Sequence, residues 1–356
     1  MSRLLSTEDV ATSDTIETIL GPIALLGRSR ISAYVRALYG MPQTGVDQTA
    51  AFLSRDPALA TRIIAVANTV QHGAGIAATR LDAAVVRLGH DRTKSLALIY
   101  EIGRVLSEHA APDFTATWHR AVLRGCMARA LAMNVSPRQA GAAFLAGTLL
   151  DIGTLLLAAA EPEAYEEIER RADGSPTRLA VLEWQSFNFN HLHVGARLLK
   201  HWCFPEEIIE AVGRHHTTPP AQATSDPGVR LWQCAYIAGA LPIGEGRIAP
   251  GDALSLIRLL TTAFNLQSSA VATLLSQSAA EYRDIAEAFR PMAPPTRSAE
   301  EMLLPTALAL GVSPEAANES SSAIPAPSRV QNETPHRPMT RAEESDRLPA
   351  FVAATH

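Results

Sequence analysis

Phe144-Leu-Ala-Gly-Thr-Leu-Leu150-Asp151-Ile-Gly153-Thr-Leu-Leu-Leu157 is the stretch on which the fold turns. Its apolar residues recur at helical spacing, and one carboxylate, Asp151, stands inside the run. A charge in such company costs free energy unless it is paired, so Asp151 is either a compensated defect or a working group. The wider segment, residues 142–160, has nearly the length of a membrane span. A carboxylate near its centre costs about 2.5–3.5 kcal/mol on insertion, and two glycines interrupt it, so a buried core helix is expected.

Outward from this run, nearly everything between residues 20 and 290 reads as helix, with apolar residues three and four apart and little alternation of period two. Asp56-Pro57 places a capping acid before a proline at the first helical position of a helix over 58–68. Glu161-Pro162 opens a segment with acids early and arginines late, as the helix dipole favours. Phe204-Pro205-Glu206-Glu207 opens another that ends near His215-His216, and Asn190 is placed to cap a helix over 191–201. Loops are expected at 40–44, 72–75, 173–176, 217–228 and 241–251, where Gly, Pro and small polar residues collect. From residue 291 Pro, Ser, Ala, Glu and Thr dominate. Such a segment buries too little to offset its ordering entropy, apart from a short helix over 298–310. The expected organisation is a flexible N-terminus (1–20), an N-terminal helical lobe (21–110), a helical core (111–290) and a disordered tail (291–356).

The 356 residues are 47% hydrophobic and 19% charged, ample for a packed core. A net charge of −5 with no densely basic stretch offers no footprint for nucleic acid or an anionic membrane. Cys126, Cys203 and Cys234 are far apart and form no CxxC pattern, which points to reduced thiols in a cytoplasmic protein. The opening MSRLLSTEDVATSD turns acidic where a signal peptide is apolar. There is no Gly-x-Ser-x-Gly, no P-loop and no strand-borne GxGxxG. The four tryptophans read as core or lobe-interface residues, and Glu166-Glu167 and Glu206-Glu207 as solvated helix faces.

Six blocks together carry a resemblance. Asp56-Pro-Ala-Leu-Ala-Thr-Arg-Ile-Ile-Ala-Val-Ala-Asn68, Ile76-Ala-Ala-Thr-Arg-Leu-Asp-Ala-Ala-Val-Val-Arg-Leu-Gly89 and Trp118-His119-Arg120 come first. The 144–157 run follows, then His191-Leu-His-Val-Gly-Ala-Arg-Leu-Leu-Lys-His-Trp202 and Phe204-Pro-Glu-Glu-Ile-Ile-Glu-Ala-Val-Gly-Arg-His-His216. In this order they resemble HDOD domains, bacterial relatives of the HD phosphohydrolases, over roughly residues 45–290. The resemblance implies an all-α fold with an N-terminal helical lobe on an HD-like bundle, and a signalling role often linked to cyclic-dinucleotide enzymes.

The HD pattern holds a divalent metal with a His-Asp pair, and here that pair reads Leu150-Asp151. Arg120 stands at the first ligand position and cannot bind a metal. Asn190 replaces an acid, and Ala235-Tyr236 stands for Ala-Asp. The resemblance therefore implies a vestigial pocket, lined by Arg120, Asp151, Asn190, His191, His215 and His216, with no metal, no cofactor and no catalysis. An Arg120–Asp151 salt bridge is the expected replacement for the ion. His191 and His193 lie about 200° apart on one helix and cannot share an ion. His215-His216 suits a helix C-terminus without any ligand. The function expected is a non-catalytic regulatory module acting through a protein partner or a small ligand. The alternative is a nucleotide sensor, cyclic dinucleotides included, using Arg120, Arg87, Arg92 or Arg214. A metal-dependent phosphohydrolase is the third reading, opposed by Leu150 and Arg120.

Overall fold

The computed structural model describes residues 7–40, 45–69, 77–109, 114–248 and 250–312. Among these it is all-α. The helices are α1 (Thr7–Gly40), α2 (Val46–Leu53), α3 (Pro57–Ala67), α4 (Leu81–Leu88), α5 (His90–His109), α6 (Phe114–Val135), α7 (Ala140–Leu149) and α8 (Ile152–Ala160). There follow α9 (Pro162–Ala172), α10 (Pro176–Phe187), α11 (His191–His201), α12 (Glu206–Gly213), α13 (Pro227–Ala240), α14 (Pro250–Ala263), α15 (Ser268–Phe289) and α16 (Ala299–Ala309).

Local chemistry sets many of these boundaries. The Asp56 carboxylate accepts from the Leu59 amide at 3.1 Å, with Pro57 at the first helical position of α3. Pro227 opens α13 in the same way, behind Asp226, whose carboxylate accepts from the Val229 amide at 3.1 Å, while Pro162 opens α9 without a side-chain cap. Asn188, the residue after α10, adopts a left-handed conformation that stops the helix.

The 144–157 run is buried as expected but is not one helix. It breaks at Leu150-Asp151 into α7 and α8, because the two halves pack on different partners. α7 lies along α6, and α8 crosses α11. Gly153 permits that crossing, since a Cβ there would collide with the His191 backbone carbonyl. Asp151, outside helical geometry, is thereby placed at a helix end, with its carbonyl accepting from the Thr154 amide and hydroxyl.

Two expected boundaries move. Residues 1–20 are not a flexible leader throughout: α1 starts at Thr7, Ile16 and Leu20 are buried, and Glu17 pairs with Arg197 and His201 of α11. The fold also continues past residue 291. Ser298 and Glu301 form a reciprocal capping box that starts α16, which buries Met302, Leu303, Thr306 and Ala307. These buried positions recur three and four apart, so one face of α16 anchors the segment to the fold. Residues 313–356, like the glycines near residue 74, lie outside the described residues. Trp118 and Trp202 are core, Trp232 is half-buried, and Trp184 is 50% exposed rather than interior. Cys126 and Cys234 are buried free thiols, and Cys203 is free and exposed.

Candidate functional site

Asp151 sits where α7 ends, facing α6. Its partner is Arg124: Nη1 of this guanidinium meets Asp151 Oδ2, and the arginine side chain is 9% exposed. The expected Arg120–Asp151 bridge is therefore not formed. Arg120 lies one turn earlier on α6 and donates to the Thr117 hydroxyl at 2.9 Å. Four residues advance a helix by about 6 Å, so both arginines face the same groove while only the second comes level with the helix break. Burial, and then the field of Arg120, lowers the Arg124 pKa to about 10, which leaves it cationic at neutral pH.

On the other side of Asp151 three imidazoles converge. A ring nitrogen from each of His191, His215 and His216 lies within 4.8 Å of the other two. His191 opens α11, and His215 and His216 follow the end of α12. His215 Nε2 is 3.6 Å and His191 Nε2 is 3.9 Å from Asp151 Oδ1. The hydrogen bonds on the far sides of two rings fix where their protons sit. His191 Nδ1 meets Glu183 Oε2 at 2.6 Å, and His215 Nδ1 meets the Val212 carbonyl at 2.8 Å. A carbonyl only accepts, so Nδ1 of His215 carries the hydrogen and its Nε2 presents a lone pair to the cluster. The Nε2 atoms of all three rings are buried without a hydrogen-bond partner. Burial, then His191, pushes the His215 pKa down to about 3; burial, then His215, holds His216 well below the usual range.

Glu183 is the hidden member of the site. Fully buried on α10, it accepts from Tyr165 Oη (2.6 Å), the His191 amide (2.9 Å) and His191 Nδ1. Burial, the largest single influence, would raise its pKa, but the bond and charge of His191, the Tyr165 hydroxyl and the His191 amide together outweigh it and hold the carboxyl low. Glu183 also takes the capping role expected of Asn190. The Asn190 side chain makes no cap bond and instead accepts from His193 Nδ1 at 2.7 Å.

Above the cluster opens a cavity of about 760 Å³. Asp151, Arg124, His191 and His216 line it, with Ile99, Ile102, Trp118 and Leu155 among its apolar walls and Arg120, Arg170 and Arg247 among its cations. Arg170 is paired with Glu167 and Arg247 with Asp173. Arg120 makes no ion pair among the described residues and is the cation free to meet an anion there.

A profile of the HDOD domain matches residues 14–218, more than half of the chain. The chain belongs to the HDOD domain family. An uncharacterized protein of Treponema pallidum (strain Nichols) is 26% identical over 243 residues, which is 64% of this chain and 46% of the relative. The chain thus spans about half the length of that curated relative. An HDOD domain protein with unknown function from Geobacter sulfurreducens superposes with a TM-score of 0.56 at 19% identity, over 74% of this chain and 91% of that one. A candidate signal transduction protein from Marinobacter aquaeolei VT8 gives 0.55 at 21% identity, over 82% of this chain and 67% of that one. These likenesses place the HDOD fold.

Within this HDOD domain the His-Asp metal pair does not fit an ion. Leu150 is fully buried and offers no donor, its methyl group lying against Gly239 beside the His215 ring. The adjoining carboxylate oxygen is engaged by Arg124. Of the expected pocket residues, the fold brings Asp151, His191, His215 and His216 together, keeps Arg120 at the cavity wall and turns Asn190 away. His193 is exposed against Trp184, and His119 faces Tyr282 and the Ala293 carbonyl, well apart from the cluster. Arg87, Arg92 and Arg214 do not line the cavity: Arg87 bonds Asn68, Arg92 pairs with Glu281 and Arg214 lies over the Trp232 ring. Sequence reasoning missed Arg124 and Glu183. The first had a signal, its place one turn after Arg120; the second had none, because only the α10–α11 turn brings it to His191.

Proposed function

We propose that this chain is a non-catalytic regulatory HDOD module of the cytoplasm whose cavity takes a small anionic ligand, with occupancy communicated to a protein partner. Arg124 carries this reading. Its guanidinium already neutralises Asp151 on the face where the resemblance would put a hydrolytic ion, and hydrolysis of a phosphoester needs a metal there to acidify water and polarise the phosphoryl group. Arg120, one turn away and without a carboxylate partner among the described residues, is left to bind an anion at an apolar-walled cavity large enough for a nucleotide.

Calorimetric titration of the full chain with inorganic phosphate, GMP and cyclic di-GMP tests the reading. Saturable binding of one of these, weakened about tenfold or more in Arg120→Met, supports it. Chelator-sensitive turnover of a phosphodiester by the purified chain overturns its non-catalytic half, and no heat with any anion overturns its ligand half.

A further inference from the structure

On the reading that the cavity is a ligand site, we propose that residues 241–247, the connection between α13 and α14, regulate it as a strap. The strap is latched to the α9–α10 turn, hung from α16, and opens the cavity in a motion that α16 shares.

The strap is part of the cavity wall. Pro242, Ile243, Glu245, Gly246 and Arg247 line the cavity, and so do Asp173, Gly174 and Ser175 of the turn between α9 and α10. These two wall segments are joined to each other, although Asp173 and Arg247 are 74 residues apart in sequence. The Arg247 amide donates to the Gly174 carbonyl at 2.8 Å, and Arg247 Nη1 meets Asp173 Oδ2 at 3.1 Å. The approach is close: a Cβ on Gly174, whose φ is +73°, would stand 2.8 Å from the Glu245 carbonyl oxygen. Both side chains of the ion pair are exposed, so water competes for them and the pair holds weakly.

The other side of the strap is held differently. The Gly244 amide donates to the Met302 carbonyl at 2.8 Å, and the Thr306 hydroxyl donates to the Pro242 carbonyl. Pro242, Met302 and Thr306 are buried. Breaking hydrogen bonds in a dry place strands both partners, so these bonds outlast exposed ones. Arg297, just before α16, adds an ion pair to Glu245 at 2.6 Å. The strap thus has a firm side on α16 and a weak side at the latch. Gly244, at φ +67°, and Gly246 flank Glu245 and give the backbone freedom to swing. When the strap moves, the latch parts first, two segments of the cavity wall separate, and the bonds to α16 carry the movement to that helix. The coupling is reciprocal: loosening α16 loosens the latch, and parting the latch loosens α16.

Opening is read with no ligand present, by iodoacetamide alkylation of a thiol in the cavity wall and by amide hydrogen exchange. Failure here leaves anion binding at Arg120 standing, and failure of anion binding in calorimetry leaves this result readable. Ala121→Cys, beside Arg120, supplies the thiol. Peptide mapping separates its label from that on exposed Cys203, while buried Cys126 and Cys234 report global unfolding. Adding Arg247→Glu replaces attraction at Asp173 with repulsion and should speed labelling at position 121 by about three- to tenfold, with Cys126 and Cys234 unchanged. Adding Thr306→Val instead, which removes a bond on the α16 side, should speed it by about fivefold. With Arg247→Glu alone, peptides over 241–248 and over 299–309 should both exchange about three- to tenfold faster, while α3 exchanges as in the parent. Should Ala121→Cys fail to fold, exchange in Arg247→Glu decides alone. Unchanged labelling and exchange in folded Arg247→Glu overturns the gate. Faster exchange of the strap with α16 unchanged overturns the shared motion. Labelling that rises in parallel at Cys126 and Cys234 overturns both, because it reports unfolding of the whole domain.

Discussion

The two sides of the His191 ring teach opposite lessons about burying a carboxylate. On the Nδ1 side Glu183 is fully buried and closed, with a tyrosine hydroxyl, a backbone amide and the ring itself all donating to it. On the Nε2 side Asp151 is 23% exposed, takes one arginine, and faces lone pairs rather than donors. Asp151 announces itself as the lone charge of an apolar run, whereas Glu183, followed by Trp184-Gln185-Ser186, does not. What differs is completeness. A closed polar cluster rigidifies a fold, whereas an open one beside a cavity holds binding capacity in reserve.

The largest break in this comparison comes from the closed side. Glu183→Ala strands the Tyr165 hydroxyl, the His191 amide and a ring N–H in a dry interior, and should lower unfolding free energy by about 3–5 kcal/mol in denaturant titration. Arg124→Met on the open side should cost less, about 1–3 kcal/mol, because Asp151 reaches the cavity and can be hydrated once its partner is gone. Equal destabilisation by the two substitutions would erase the distinction between the two sides.

Much of the fold was legible. The period of the apolar residues gave the helices, and Asp56-Pro57 and Glu161-Pro162 gave two helix starts at the right residues. The family followed from six short blocks in order. Tertiary relations were less accessible. That an arginine neutralises Asp151 could be read from the cost of a lone buried charge, but choosing Arg124 over Arg120 required the level at which α7 breaks against α6. The three histidines were visible one by one. Their convergence depends on α8 crossing α11 at Gly153, a contact between segments some forty residues apart that no local pattern encodes. The short helix over 298–310 was legible, but its attachment to the fold was not: the surrounding composition is that of a tail, and a capping box with five buried residues outweighs composition.

A third carboxylate sharpens the comparison through pH. Glu101 of α5 is fully buried between Arg30 and Arg104, and burial nevertheless raises its pKa to about 7. The folded state therefore holds this proton more tightly than the unfolded chain. Its contribution is fully present below the unfolded pKa near 4.5 and is lost as pH rises through about 7. Glu101→Gln cannot lose a proton, so its melting temperature relative to the parent should rise between pH 5 and pH 8, by the equivalent of at most about 3 kcal/mol. A difference that stays flat across that range would mean the two arginines keep Glu101 ionised throughout, making it a closed site like Glu183.

The smallest expected effect tests which residue caps α11. Asn190 occupies the N-cap position with extended backbone, and an asparagine there ordinarily stabilises a helix by about 1 kcal/mol relative to alanine. Here its side chain bonds the exposed His193 ring, and the first amide of the helix is held by Glu183 from α10. Asn190→Ala should therefore change unfolding free energy by less than about 0.5 kcal/mol, well below an ordinary capping loss. Ser298→Ala is the internal standard, because its hydroxyl accepts from the Glu301 amide at 3.1 Å, and it should show the ordinary loss. If Asn190→Ala costs as much as Ser298→Ala, local capping governs the start of α11 and Glu183 serves the ring alone. If it costs almost nothing, one buried carboxylate both starts the helix and aims the histidine it carries, which explains why the imidazole that faces the cavity is also the first residue of its helix.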